Sequence, residues 1–246
     1  MSRATPPSDP TAVADPAPAP AWRGAPRLPA RVPRAVVFDM DGLMLDTERL
    51  DRDLWRAAVR RRALDIPDSL HARLVGRRAV DAEAILRAHF GGAFPLEEIK
   101  AEVQVRWEAI AAGPGLPRKP GLEALLLHLE QARIPKAVAT STARGKALVS
   151  LGPLAARFQA LACGDEVREG KPAPEIFELA ARRLGLAVED CLALEDSPAG
   201  VAAARSARMS VIMIPDLVAP AEPPEFVCES LGQVLDWLLA QQAVPG

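Results

Sequence analysis

Two carboxylates, Asp39 and Asp41, follow directly on the apolar run Ala35-Val36-Val37-Phe38. Two residues apart just beyond a strand, both reach one pocket, and they repel each other unless a cation or a proton lies between them. Three more polar groups recur in similar settings: Thr140-Ser141-Thr142 after Lys136-Ala137-Val138-Ala139, Lys171 ahead of Pro172 and Pro174, and Glu195-Asp196 after Cys191-Leu192-Ala193-Leu194. Taken singly, each has a plainer reading as an acidic turn, a helix cap or a solvated lysine. Taken together and in this order they match the needs of phosphoryl transfer, which are a positioned nucleophile, a proton donor and neutralised charge on the transferring group. Hydroxyls and free amides at a helix entrance, as at Thr140 to Thr142, would add an anion site.

Such groups must be carried to one place, and the intervening elements show how. The apolar runs at Ala35–Phe38, Lys136–Ala139, Cys191–Leu194 and Ser210–Ile214, with a weaker one at Ala160–Ala162, read as buried parallel strands. Leu122, Leu125, Leu126 and Leu129 share one helix face, as do Ile176, Phe177, Ala180 and Leu184 before the stop signal Gly185. Pro174 and Pro198 stand where first-turn prolines belong, and Val234, Leu235, Leu238 and Leu239 mark a last helix. Strand and helix alternating from about residue 121 predict an α/β fold with a doubly wound parallel sheet, whose ligands bind at the carboxyl ends of the strands.

Residues 47–114 break that alternation. Leu50, Leu54 and Trp55, then Ala82, Ile85, Leu86 and His89, then Ile99, Val103, Trp107 and Ile110 have helical spacing, with no convincing strand among them. The stretch predicts an all-α cap inserted after the first strand, above that strand's tip. The punctuated segment 113–121 would lead the chain back, so the core comprises residues 34–46 and 115–246. Residues 1–33, dominated by Ala and Pro, read as a disordered tail.

Composition excludes other classes. With a formal net charge of -2 the chain has no general affinity for nucleic acid. No apolar run approaches the roughly 20 residues that span a bilayer, and the N-terminus lacks a secretory apolar core, which together predict a cytoplasmic protein without membrane contact. Cys163, Cys191 and Cys228 lack the short spacings of zinc or redox sites and read as reduced, buried small hydrophobes.

The run Phe38-Asp39-Met40-Asp41-Gly42-Leu43-Met44-Leu45-Asp46-Thr47-Glu48 resembles the first motif of the haloacid dehalogenase-like hydrolases. Thr140 resembles the second motif, Lys171 in Gly170-Lys171-Pro172-Ala173-Pro174 the third, and Glu195-Asp196 in Leu194-Glu195-Asp196-Ser197-Pro198-Ala199-Gly200 the fourth. The likeness spans residues 34 to 240. It implies a Rossmann-like core with a helical cap, and a magnesium-dependent phosphatase acting on small phosphorylated metabolites through a phospho-aspartate. In that scheme Asp39 is the nucleophile and Asp41 the general acid and base. Mg2+ would be held by the Asp39 carboxylate, the Asp41 carbonyl and Asp196, with Glu195 as a direct ligand or a partner behind the ligands. Thr140, the Ser141 amide and Lys171 would hold the phosphate oxygens. Magnesium suits such a set because it takes few carboxylates plus water and phosphate oxygen.

Asp41 favours a phosphatase or phosphomutase over dehalogenases, which lack an Asp there, and over ion-pumping ATPases, which carry Thr. Related sugar phosphomutases place His twelve residues after the nucleophile and Arg three after the cap-loop glycine; here those positions hold Asp51 and, counted from Gly76, Ala79. Hydrolysis is therefore preferred, with a phosphomutase or a non-catalytic binding protein of the same fold as the alternatives. Gly76, Arg77 and Arg78 fall at the substrate-specificity loop of the relatives, where the arginines either grip a polar or anionic leaving group or stand solvated. The expected substrates are sugar phosphates or nucleoside monophosphates, phosphoglycolate being another option. His71, His89 and His128 are expected in surface or packing roles, and the chain as a monomer or weak homodimer.

Overall fold

The computed structural model describes residues 29, 32–112, 115–217 and 225–242. The expected tail lies outside them apart from residues 29, 32 and 33. Five strands among the described residues form one parallel sheet in the order β3-β2-β1-β4-β5. They are β1 (Ala35–Phe38), β2 (Lys136–Thr140), β3 (Ala160–Cys163), β4 (Cys191–Glu195) and β5 (Ser210–Met213). The first strand in sequence is central, with Phe38 level with Val138 on one side and Leu194 on the other. The carboxyl ends of β1, β2 and β4 therefore lie side by side.

Nine α-helices accompany the sheet among the described residues: α1 (Thr47–Arg60), α2 (Asp68–Leu74), α3 (Ala79–Phe90), α4 (Leu96–Ala112), α5 (Leu122–Gln131), α6 (Arg144–Leu151), α7 (Glu175–Leu184), α8 (Pro198–Ser206) and α9 (Leu231–Gln242). Strand pleating sorts the core into two layers. Val36, Phe38, Val138, Leu192, Leu194 and Ile212 pack with the leucines of α5 and with Val234, Trp237 and Leu238 of α9. The other face of the same strands is rich in alanine, with Ala35, Ala137, Ala139, Ala162 and Ala193 beside Val37, Val211 and Met213, and it meets Ile176, Phe177, Ala180 and Ala181 of α7 and Val201, Ala203 and Ala204 of α8. The fold is a Rossmann-like α/β fold.

Helix ends follow from local sequence. α7 stops at Gly185, whose left-handed φ of 69° lets its amide reach Ala181 and Arg182 carbonyls. α8 begins at Ser197, whose hydroxyl accepts the Gly200 amide at 3.1 Å, with Pro198 in the first turn.

Residues 47–112 hold α1 to α4 and no strand, and they have a core of their own around Val59, Ile66, Leu70, Leu86, Ile99 and Val103. The outgoing and returning chains run beside each other: the Asp46 amide donates to Pro117 carbonyl at 2.9 Å and the Lys119 amide to Met44 carbonyl at 2.9 Å. Lys119 and Arg49 both pair with Asp216, at 2.8 and 2.7 Å, tying this double crossing to the loop after β5.

Candidate active site

The end of β1 is where the site begins. Asp39 continues the strand by donating its amide to Leu194 carbonyl at 3.0 Å, and the chain then folds back on itself, with Gly42 donating to Leu45 carbonyl at 2.8 Å. Gly42 takes a left-handed φ of 84°, and a Cβ there would overlap the Asp196 carboxylate. This turn places both acids at the carboxyl end of the central strand, where they line one cavity.

Lys171 reaches the site from the loop after β3. Its ammonium donates to Asp39 Oδ1, to Glu195 Oε1 and to the Ala139 carbonyl at 3.1 Å, so all three of its protons are committed. It also lies 5.2 Å over the Phe177 ring. Burial opposes the lysine's charge, but Asp39 and then Glu195 outweigh that and hold its pKa above the ordinary value.

Glu195 is completely enclosed. While Oε1 takes Lys171, Oε2 accepts the Asp196 amide at 3.1 Å, the Ser197 amide at 3.2 Å and the Ser197 hydroxyl at 3.1 Å. Both oxygens are thus engaged in positioning the lysine and the start of α8.

Asp39, Glu195 and Asp196 offer oxygens that all lie within 4.8 Å of one another. Three carboxylates against one ammonium leave two formal negative charges in a water-poor site. Burial pushes the pKa of Asp39 well up, with Glu195 and Asp41 adding to it and Lys171 opposing. Asp196 is raised in the same way, by burial and then by Asp39, Glu195 and Glu48. A hard divalent cation with oxygen ligands fits this donor set, and Asp39 and Asp196 are the carboxylates with oxygens left to give.

Asp41 is held by hydroxyls. Thr47 donates to its Oδ1 at 2.6 Å, and Thr142 and Thr140 donate to its Oδ2 at 2.7 and 3.4 Å. Thr140 in turn accepts the Thr142 amide at 3.1 Å. Ser141 turns its hydroxyl outward and donates to the Gly76 carbonyl of the helical insertion at 2.8 Å.

Above these residues lies a cavity of about 630 Å³ whose lining includes Asp39, Asp41, Trp55, Arg77, Trp107 and Lys146. Gly76 is pressed against α8, its missing Cβ standing 2.6 Å from the Ser197 hydroxyl. Arg77 forms no side-chain hydrogen bond among the described residues and faces the cavity. The expectation that paired Arg78 with it as a substrate grip meets a different arrangement. Arg78 forks onto Asp81, with Nε to Oδ2 at 2.9 Å, and it donates to the carbonyls of Val167 and Arg168 at 3.1 and 2.9 Å.

Sequence reasoning assigned no role to several groups that meet here. Thr47 belongs to the first motif segment, and its hydroxyl was the available signal; Thr142, expected in an anion site, gives its hydroxyl to Asp41 instead. Glu48 is pushed well above the carboxylate range by burial and then by Asp41, Asp51 and Asp39. Asp51 lies 3.9 Å from Lys146, whose ammonium is 4.7 Å above the Trp107 ring. Among the histidines, His71 lines the cavity, and burial followed by Arg56 and Arg52 lowers its pKa. The three cysteines are buried and free.

A buried carboxylate at the end of the central strand of an α/β sheet, paired with a lysine, lines a cavity that the helical insertion also lines. Comparison with known proteins names the protein's family: the model described as haloacid dehalogenase-like hydrolase matches residues 33–208, and the chain belongs to that family. It is 34% identical over 223 residues to a Drosophila melanogaster protein named probable pseudouridine-5'-phosphatase, covering 85% of this chain and 93% of that one. To the Escherichia coli hexitol phosphatase A it is 34% identical over 212 residues, covering 82% and 93%. Among solved structures, CbbY from Rhodobacter sphaeroides with phosphate superposes with a TM-score of 0.71 at 26% identity, over 82% of this chain and 96% of that one. The chain thus stands with the phosphatases of the family, enzymes that hydrolyse phosphoric monoesters.

Proposed function

We propose that the protein is a magnesium-dependent phosphatase of small phosphorylated metabolites, of sugar phosphate or nucleoside monophosphate type, working through a phospho-aspartate on Asp39. The observation that carries this reading is the meeting of Asp39, Lys171 and Asp196 from three separate loops, beside an Asp41 oriented by hydroxyls.

An Asp39 oxygen attacks phosphorus while the bond to the leaving oxygen breaks, and Asp41 delivers its proton to that oxygen so that an alcohol departs. Asp41, now a carboxylate, then takes a proton from water as the water oxygen attacks the acyl phosphate. Inorganic phosphate leaves and Asp39 is regenerated. The Thr140 hydroxyl and the Ser141 amide hold the other phosphate oxygens, and the Lys171 ammonium, fixed against the attacking Asp39, offsets the charge that builds on them. Mg2+ bound by Asp39, Asp196 and the Asp41 carbonyl would supply the remaining positive charge. Glu195 serves this chemistry by holding Lys171, since its own oxygens are occupied.

The cavity supports a leaving group larger than glycolate, because its volume and its two tryptophans suit a sugar or nucleoside. The names of the relatives point the same way. Asp51, paired with Lys146, stands where the mutases carry histidine, which favours water as the acceptor. On this reading the enzyme acts as a monomer or weak homodimer in the cytoplasm, and no helix among the described residues is long and apolar enough to cross a membrane.

Asp39→Asn is expected to abolish hydrolysis of p-nitrophenyl phosphate while the protein stays folded by circular dichroism. EDTA should do the same, with recovery on adding Mg2+. Full activity of the Asn variant would refute the nucleophile assignment. A screen of phosphorylated metabolites would then define the substrate.

A further inference from the structure

The loop between α2 and α3 rests on the three core loops that bring in the phosphate-end residues. Gly76 lies against Ser197, next to Asp196. The Ser141 hydroxyl donates to the Gly76 carbonyl at 2.8 Å. Two residues on, Arg78 spans to the loop that leads into Lys171, through the carbonyls of Val167 and Arg168.

The core is shaped to receive that arginine. Gly170, immediately before Lys171, has no side chain where the Arg78 stem passes; a Cβ there would lie 2.5 Å from Arg78 Nε and 2.8 Å from its Cδ and Cγ. At Gly164 a Cβ would lie 2.0 Å from the Ser141 carbonyl oxygen and 3.2 Å from Arg78 Cγ. Asp81, one turn into α3, takes Nε at 2.9 Å and a terminal nitrogen at 3.2 Å, which fixes the plane of the guanidinium. Four donor contacts, two to Asp81 and two to carbonyls, occupy a group that has five N–H donors in all. Little is left for a substrate.

We infer that Arg78 is a positioning residue: it latches the helical insertion to the 164–171 loop and so couples closure over the cavity to the placement of Lys171. The inference rests on the phosphatase reading for its catalytic consequence, while the latch itself is a physical contact that can be measured without turnover. Because Lys171 faces the phosphate, which every substrate shares, the latch acts on kcat whatever the leaving group. A residue that grips the leaving group would instead act on KM and differ from substrate to substrate.

The test uses the full chain, with Arg78→Ala on the insertion side and Gly170→Ala on the core side. Hydrogen exchange is measured over residues 164–171, and kinetics with p-nitrophenyl phosphate and with glucose 6-phosphate. Each variant is expected to speed exchange in that loop and to lower kcat about 10- to 100-fold on both substrates, the cost of a misplaced catalytic group. Either KM should move less than about threefold. The double variant should be no worse than Arg78→Ala alone, since both changes break one contact. Arg78→Lys, which keeps the charge and loses the fork, should recover part of kcat. Unchanged exchange over residues 164–171 in both single variants would overturn the latch. A raised KM for glucose 6-phosphate with kcat intact would overturn it in favour of a substrate grip. If wild-type protein hydrolyses neither compound, the phosphatase reading suffers, and the exchange result still decides the latch.

Discussion

Gly200 offers a test in which two physical effects predict opposite outcomes. It lies in the first turn of α8 with ordinary helical backbone, so helix propensity alone says that alanine should stabilise the protein, by up to about 1 kcal/mol. The space where its Cβ would go is filled by the Glu195 carboxylate, and an alanine there would overlap it. Glu195 must therefore move, and it is the group that accepts the Asp196 and Ser197 amides and the Ser197 hydroxyl and pairs with Lys171. Hydrogen bonds to a charged group are worth about 1.5–3 kcal/mol each, so losing one or two of them outweighs the propensity gain. The expected net loss is about 2–4 kcal/mol. In a chain of this length that lowers Tm by about 5–15 °C.

Activity should fall further than stability, because a displaced Glu195 no longer holds Lys171 against Asp39; a loss of at least about 100-fold in kcat is expected for one misplaced charge-stabilising donor. Thermal unfolding by circular dichroism and hydrolysis of p-nitrophenyl phosphate measure the two effects on the same sample. A Gly200→Ala protein that melts higher than wild type and keeps full kcat would refute the reasoning, since it would mean that Glu195 is free to move without cost.

Two further outcomes concern the residues around the cavity. Burial pushes the Asp51 pKa up to about 6, against Lys146 and aided by Asp41. The native state therefore holds that proton more tightly than the unfolded chain does, so the stability it contributes is complete below the ordinary carboxylate range and is lost as pH rises through about 6. Asp51→Asn should leave Tm unchanged at pH 4 and raise it at pH 8, by the equivalent of about 1 kcal/mol or less, because a carboxylate 38% exposed is screened; equal Tm differences at the two pH values would count against the assignment. Thr47→Val removes the hydroxyl 2.6 Å from Asp41 Oδ1 and should lower kcat about 10-fold or more with KM near wild type, because a general acid that is poorly oriented transfers its proton poorly. An unaltered kcat for p-nitrophenyl phosphate would show that the hydroxyl does not orient the acid.

The strands were legible because each is a short apolar run that ends in a polar cluster, a pattern set by burial on both faces of a parallel sheet. β3 was the faintest, being four residues with two alanines, and it is an edge strand. Helices with a full apolar face, such as α5 and α7, were equally plain, whereas the expectations assigned no helix to the seven residues of α2 and only an entrance, at Thr140 to Thr142, to α6. α2 buries Leu70 alone, and in α6 Leu148 is exposed, so neither carries an apolar stripe long enough to read. The motif residues were visible from their place at strand ends. The contacts that Thr47, Glu48 and Asp51 make in the site were not, because they depend on the angle at which α1 leaves the first motif, and no local pattern encodes that angle.

A site so crowded with acids folds only if each of them is accounted for. Asp39, Asp41, Glu48, Glu195 and Asp196 each raise or feel the charge of another, and Lys171 is the cation buried among them. Separating the acids by what they accept divides their work. Glu195 takes four protein donors, and Asp41 takes three hydroxyls. Asp39 and Asp196 keep oxygens without protein donors among the described residues, apart from the single Lys171 contact to Asp39. An acid satisfied by fixed donors is oriented, and an acid left short of them is costly until a cation arrives. On the proposed reading, the two under-satisfied carboxylates are therefore the ones that bind the divalent ion. The site is then stabilised by its own cofactor, and Tm should rise with Mg2+ concentration in wild type, as follows for any ligand that binds the native state alone.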